Sequence, residues 1–413
     1  GVQTCALPIY SRKRRVQTYI CNRTCLCRSD CRFWQKQLLS RNQCIKGLDV
    51  MQNSLFEQRL ENLKTVLDSN SQAVLLTNEK NIGYFCGFFH SEGYLLVAEN
   101  ETVLFVDFRY YEAALKKSSG CRVVCFTKLF KDLISELKNN SVVNVFFEAS
   151  DITVEKYNRF KKAFSENNIE CVCDGSLDHK IEEIRCIKDE SEIKKIAKAQ
   201  EITEKSYLEV LNYLKPGVSE RRVALELEHL IKLNGGEGVS FDLITITGKK
   251  TSLPHGVPSD DIVSEGDFFT FDIGSIFDGY HSDTTRTVAI KSADEEMKKV
   301  YDIVLKAQLA VLDSVKPGAK CSDVDKIARD IISENGYGKY FGHATGHGVG
   351  LDIHESPVVS PRSETILKKG MIITDEPGIY LPGKFGVRIE DMLCVTDTGY
   401  KNFVSLPKEL IIV

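Results

Sequence analysis

The stretch Phe269-Thr-Phe271-Asp272-Ile273-Gly-Ser-Ile-Phe277-Asp278-Gly279-Tyr-His281-Ser-Asp283-Thr-Thr285-Arg286-Thr287 decides the fold. Phe269, Phe271 and Ile273 alternate with Thr270, Asp272 and Gly274, which predicts a strand with one apolar face and one face carrying a carboxylate. Asp278-Gly279 is a turn signal, after which His281, Asp283, Thr285 and Thr287 share one face of a returning strand. A four-residue loop over 276–279 sets Asp272 opposite Asp283, whereas a two-residue loop at 278–279 slips the register by two. Either register keeps both carboxylates on one face, because an even slip conserves face. Two acids at roughly 5 Å across a ladder are destabilising unless a cation or a proton neutralises them. The conflict points to a metal.

The device recurs. Gly370-Met-Ile-Ile-Thr-Asp-Glu376 predicts a second strand with Ile372, Thr374 and Glu376 on one face, and Gly386-Val-Arg388-Ile-Glu390-Asp-Met392 returns with Arg388, Glu390 and Met392 together. Asp272 and Glu376 are 104 residues apart, and Asp283 and Glu390 are 107 apart. Leu214-Lys-Pro-Gly-Val-Ser219 recurs as Val315-Lys-Pro-Gly-Ala-Lys-Cys-Ser322, and each copy runs into an amphipathic helix ending near Asn-Gly, at 234–235 and at 335–336. A period near 100 that holds across helix and hairpin predicts two similar halves related by pseudo-symmetry, with four carboxylates around one point.

The chain of 413 residues is long enough for two domains, and 42% hydrophobic with 27% charged residues is an ordinary composition for a soluble protein. No run of about 18 apolar residues is present, so no membrane span is expected. The net charge of -4 conceals an asymmetry: residues 1–50 hold ten Lys or Arg against Asp30 and Asp49, so the remainder is strongly acidic and no nucleic-acid surface is expected there. Residues 1–50 also hold six of the fourteen cysteines, at 5, 21, 25, 27, 31 and 44, with the basic run Arg12-Lys-Arg-Arg15. Their spacing fits zinc sites poorly, since those pair cysteines closely and then leave a long gap. Gly1-Val-Gln-Thr-Cys-Ala-Leu-Pro-Ile9 reads instead as translated sequencing-adapter DNA, so a non-native, disordered leader and a start at Met51 are expected.

From Met51 the pattern is that of an α/β domain over 51–178. A helix over 54–69 is followed by strands at 73–77, 94–98, 103–107, 122–126, 144–149 and 171–173, with helices after Arg109, near 128–138 and from Thr153. Its job is to shape or cap a site built elsewhere. His90 and His179 read as loop histidines, and Cys171-Val-Cys173 as a strand with two reduced thiols. The eight cysteines after Met51 show no disulfide framework, which favours a reducing, cytoplasmic location. Asp174-Gly-Ser-Leu-Asp178 is turn-rich, and a long charged helix is expected from Ile184 through about 213, opening a second domain over 185–413.

The chemistry lies in that second domain. His255 sits on the loop Ser252-Leu-Pro-His255-Gly256, and His343, His347 and His354 punctuate a glycine-rich run over 341–355. Taken in order, Pro254-His255-Gly256, Phe271-Asp272-Ile-Gly274, Ser282-Asp283-Thr-Thr-Arg-Thr287, Gly346-His347-Gly-Val-Gly350, Ile353-His354-Glu355, Glu376-Pro-Gly-Ile-Tyr380 and Gly386-Val-Arg388-Ile-Glu390-Asp391 resemble the pita-bread metallopeptidases, which include methionine aminopeptidase, Xaa-Pro aminopeptidase and Xaa-Pro dipeptidase. Tyr84-Phe-Cys-Gly-Phe88 and Gly93-Tyr-Leu-Leu-Val97 more loosely resemble a creatinase-type amino-terminal domain, which with Arg388 favours the proline-specific branches.

The resemblance implies a dinuclear site: Asp283 and Glu390 bridging the ions, Asp272 completing one shell, and His347 with Glu376 completing the other. A donor set of carboxylates and one imidazole without thiolate suits Mn, Co, Zn or Fe, with Mn favoured. Two such ions lower the pKa of a water, clamp a carbonyl and steady the tetrahedral state. The resemblance further gives Glu376 a share in proton management, His255 and His354 substrate-facing roles, and Arg388 the orientation of a carboxylate or the substrate. His343 and His281 are supporting candidates only. The implied substrate is a peptide or dipeptide with proline second, and a homodimer is implied. Aminopeptidase and dipeptidase activity both stay open. A metal-free or inactive peptide-binding member of the same fold is the competing expectation, against which the intact ligand positions count.

Overall fold

Strand alternation builds the first layer. The structure, a computed structural model, describes residues 55–89 and 92–413; the cysteine-rich leader, the expected start at Met51 and His90 lie outside them. Helix α1 (residues 55–64) leads to β1 (Gln72–Leu76), α2 (Glu79–Cys86), β2 (Tyr94–Ala98), β3 (Thr102–Val106), α3 (Phe108–Lys117), β4 (Arg122–Cys125), α4 (Leu129–Asn139), β5 (Asn144–Phe147), α5 (Val154–Ser165) and β6 (Glu170–Val172). The sheet order is β4-β3-β2-β1-β5-β6. Strand β2 is antiparallel to both neighbours and the outer pairings are parallel. Both faces are buried, as helix-covered sheets require. Leu75, Phe105 and Phe147 pack with Leu133, Phe160 and Phe164 on one side. Val74, Leu76 and Leu104 on the other side belong to a core that continues to Phe269 and Phe271. The two layers of the chain therefore share apolar contacts around the functional half.

Two helices were not anticipated. Asn78 accepts hydrogen bonds from the backbone N–H groups of Lys80 and Asn81 and so starts α2, which Gly87 closes in the left-handed conformation. At the domain junction the chain turns at Gly175, forms α6 (Ser176–Cys186), and breaks into extended backbone at Ile187. It restarts as α7 (Glu190–Val210), where Asp189 and Glu192 complete a capping box. The expected single helix from 184 is thus two, and His179 lies on α6 rather than on a loop.

The second half contains α8 (Glu220–Leu233), β7 (Gly238–Val239), β8 (Ile244–Thr247), β9 (Phe268–Ile273), β10 (Ser275–Phe277), β11 (Tyr280–His281), β12 (Thr284–Ala289), α9 (Glu295–Ser314), α10 (Cys321–Glu334), β13 (Gly346–Gly348), β14 (Glu355–Val359), β15 (Ile372–Asp375), β16 (Gly378–Leu381), β17 (Phe385–Arg388), β18 (Asp391–Val395) and β19 (Tyr400–Asn402). Its sheets are β12-β9-β8, β11-β10-β7 and β14-β13-β15-β18-β19, with the ribbon β16-β17. The repeat seen in the sequence is structural. Helices α8 and α10 end at Asn234 and Asn335, each followed by a left-handed glycine, and each is preceded by a bridge, Ser219 to Ile262 and Lys320 to Ile366. Tyr207 of α7 packs edge-on against Phe271 at 5.3 Å, which buries the apolar face of β9 and turns the Asp272 face the other way. Among the described residues, no helix is long and apolar enough to cross a membrane.

Candidate metal centre

The turn at Asp278-Gly279 has positive φ at both residues, 49° and 78°, the geometry of a two-residue hairpin connection. It pairs Phe277 with Tyr280 and Asp272 with Thr285, so the shorter of the two expected loops is the one adopted. Asp272 and Asp283 are offset along the ladder but keep the same face. In the second hairpin, Thr374 pairs with Met392 below and Gly378 with Arg388 above, which leaves Glu376 and Glu390 facing each other where the ladder opens. The Glu390 N–H donates to the Thr285 carbonyl at 3.1 Å, joining the two hairpins at the acids.

Around this junction, Asp283, His347 and Glu390 bring ligand atoms within 4.8 Å of one another. His347 Nε2 lies 3.6 Å from Asp283 Oδ2 and 3.4 Å from Glu376 Oε1. Its Nδ1 lies 3.0 Å from the Gly348 carbonyl, which can only accept, so Nδ1 carries the proton and Nε2 presents its lone pair to the acids. Asp272 is held from the side: Arg388 donates to its Oδ2 at 2.5 Å. The same guanidinium donates to Thr285 Oγ1 at 3.0 Å and to Tyr380 Oη at 2.8 Å. Thr285 in turn donates to Glu390 Oε2 at 2.7 Å, and Thr374 donates to Glu376 Oε1 at 3.1 Å.

Whether these residues suit divalent ions is decided by what remains unpaired. Oδ1 of Asp272 and Oδ1 of Asp283 are buried with no hydrogen-bond partner among the described residues. Burial, with the charges of Asp272 and Glu376, pushes Asp283 well above the usual carboxylate range; burial and Asp283 do the same to Glu390. Burial raises Glu376 to about 7 despite the opposing pull of Arg388. Acids left this way repel one another, and bound cations remove the repulsion. The oxygen and imidazole donors match hard or borderline divalent ions.

The acids form the floor of a cavity of about 480 Å³ whose walls include Phe241, Leu243, Ile244, Val257, Ile353 and Val358. His255 and His354 both line it. The His354 ring lies edge-on to that of His347, with centroids 4.4 Å apart.

A family model for metallopeptidase family M24 matches residues 194–397, and one for the creatinase/prolidase N-terminal domain matches residues 59–187. The Xaa-Pro dipeptidase of Pyrococcus furiosus is 40% identical over 357 residues, covering 86% of this chain and all of that protein. The chain belongs to metallopeptidase family M24. Among solved structures, the Xaa-Pro dipeptidase from Bacillus anthracis superimposes with a TM-score of 0.83 at 38% identity, covering 87% of this chain and 100% of the other. The X-Pro aminopeptidase from Thermotoga maritima gives 0.78 at 34%, covering 83% and 97%. The architecture is accordingly a creatinase-type amino-terminal domain followed by the M24 pita-bread fold, and the protein is a metallopeptidase.

Two side chains of this M24 site escaped the sequence. Tyr380 accepts from Arg388 and lies 2.9 Å from His343 Nε2, and Thr285 links Arg388 to Glu390. Strand parity carries the signal for both, since Tyr380 shares a face with Glu376 and Thr285 with Asp283. His343 donates from Nδ1 to the Ala344 carbonyl, and burial holds it neutral with a pKa of about 4. It therefore touches Tyr380 rather than the acids. His281 is buried and neutral, pushed down to about 4 by burial, and belongs to no ligand cluster among the described residues.

Proposed function

We propose that the protein is a dinuclear metal-dependent exopeptidase that hydrolyses the Xaa-Pro bond in dipeptides or at the amino terminus of peptides. The observation that carries this is the convergence of Asp283, His347 and Glu390 beside buried Asp272 and Asp283 oxygens that no described residue satisfies. Asp272, Asp283, His347, Glu376 and Glu390 are the residues that would hold the two ions. Bound divalent ions supply Lewis-acid activation of water and of the scissile carbonyl. Mn is the favoured occupant, with Co, Zn and Fe as alternatives.

The protein's own groups supply the rest. Glu376 would hold and pass a proton during the reaction. His354 and His255, at the cavity wall, would hydrogen-bond a carbonyl oxygen as it gains charge and aid proton transfer to the leaving nitrogen. Arg388 is held by Asp272, Thr285, Tyr380 and the Pro254 carbonyl, and its part is to fix Asp272. Proline after the scissile bond offers no N–H, so strand pairing cannot grip it. The apolar walls of the cavity supply a surface for a ring instead. The relatives named for Xaa-Pro dipeptidase and X-Pro aminopeptidase activity support the same substrate class.

The test is metal analysis of undialysed protein, followed by assays of Xaa-Pro dipeptides against longer Xaa-Pro peptides. Two ions per chain and cleavage before proline are expected, and the length preference separates dipeptidase from aminopeptidase. Protein that holds no metal and stays inactive after supplementation with Mn, Co, Zn or Fe would instead be a peptide-binding member of the fold.

A further inference from the structure

His354 lies on a surface turn between β13 and β14, yet the turn is fastened from beneath by a lattice of ion pairs that reaches into the amino-terminal domain. Arg185, at the end of α6, donates from one nitrogen to Asp352 Oδ2 at 2.6 Å and to Glu355, and from the other to Asn81 Oδ1 at 2.9 Å. Lys188 reaches Glu355 Oε2 at 3.0 Å with only 1% of its side chain exposed. Lys80, on α2, closes on Asp352 Oδ1 at 2.5 Å. Glu355 Oε1 also accepts the Asp352 N–H at 2.9 Å, so the two acids flanking His354 are tied to each other. The lattice needs close approach: a Cβ on Gly350 would stand 2.4 Å from the Glu355 carboxylate.

Every bond in this set except that of Arg185 to Asn81 acts on residue 352 or residue 355, and His354 is held between them. Its ring has no hydrogen bond to lock it among the described interactions; what it has is the edge-on contact with His347. The ring's place over the candidate ligand therefore depends on where the backbone of 352–355 is pinned.

We propose that Arg185, Lys188 and Lys80 are positioning residues for His354, so that the junction helices and the amino-terminal domain set the histidine's place over the metal centre. The inference rests on the assignment of His354 given above. Removal of one anchor loosens the turn without touching Asp272, Asp283, His347, Glu376 or Glu390.

The experiment is a double-mutant cycle on the Mn-reconstituted full chain, measuring kcat and KM on an Xaa-Pro dipeptide. Arg185→Met is expected to lower kcat about tenfold, as loss of an outer-shell partner does, with bound metal unchanged. In the His354→Ala background the same substitution is expected to cost less than about twofold, because the two act through one group. Lys80→Met, an exposed arm that leaves the fold intact, is expected to show the same dependence at about threefold or less, as an exposed ion pair permits. In metal-free protein with labelled histidines, Arg185→Met is expected to abolish the nuclear Overhauser effect between the His347 and His354 rings. An equal loss from Lys80→Met or Arg185→Met with and without His354, or an unchanged ring contact, overturns the proposal. If His354→Ala alone leaves kcat at the parent value, the assignment of His354 falls and the proposal with it. If His354→Ala lowers kcat and the anchor substitutions do not, the proposal alone falls.

Discussion

Asp283 and Glu355 expose nearly equal fractions of their side chains, 6% and 8%, yet their protonation differs in kind. Burial and two neighbouring acids push Asp283 well above the usual range. Burial works against Glu355 as well, but Lys188 and Arg185 overcome it and hold that carboxyl at about 2. One group of acids is answered within the chain by bases from α6 and the segment after it; the other has Arg388 against Asp272 and, among the described residues, no base paired with Asp283 or Glu390. A buried carboxylate that the fold leaves uncompensated is where an external cation is stabilising, and a compensated one is where the fold itself is held.

The contrast breaks first at the uncompensated acids. Asp283→Ala or Glu390→Ala is expected to abolish hydrolysis and release metal, as elemental analysis and a Xaa-Pro assay will report; either variant retaining both ions with near-normal turnover would sink the ligand assignment. At the compensated site, Glu355→Ala leaves Lys188 buried without its carboxylate and takes from Arg185 one of its two acids, and should cost about 3–5 kcal/mol in denaturant unfolding. A loss within experimental error would mean the lattice is not buried in effect.

The pH response sharpens the difference. Because folding lowers Glu355 from its ordinary 4.5 to about 2, its stabilisation is complete above about 4.5 and disappears as pH falls toward 2. That is about 3 kcal/mol of acid lability, absent in Glu355→Gln. Parent and variant with parallel stability profiles over this window would contradict it. In the opposite sense, burial and Asp283 raise Glu390, so at a pH high enough to ionise it Glu390→Gln should raise the denaturant midpoint of metal-stripped protein, since it removes a repelled charge while an amide oxygen can still accept from Thr285. A fall in that midpoint would show that the acids are already neutralised. Smallest of all, trimming residues 1–50 is expected to leave kcat/KM unchanged, because every candidate ligand lies between 272 and 390.

How much of this was legible depended on whether a residue's face or its partner mattered. Phe269, Phe271 and Ile273 fixed the face of Asp272 by alternation alone, and face survives an error of register, so the acids could be grouped before the turn at Asp278-Gly279 was known. The repeated Lys-Pro-Gly segments marked the two halves because both end in the same cap chemistry. Helix α2 escaped because its eight residues are too few for a clear period, and only the Asn78 cap announces it. Helix α6 was hidden behind Gly175, which reads as a turn and is one, but a turn that begins a helix. The lattice under His354 joins residues up to 272 positions apart, and no local pattern encodes such a pairing.

Arg388 can only give a hydrogen and the Thr285 oxygen receives it, so the single hydroxyl hydrogen is left to point at Glu390. A residue of the first hairpin thereby dictates which oxygen of the second hairpin's glutamate stays free for a visitor. Valine, nearly identical in outline, would leave the ribbon standing and erase that instruction.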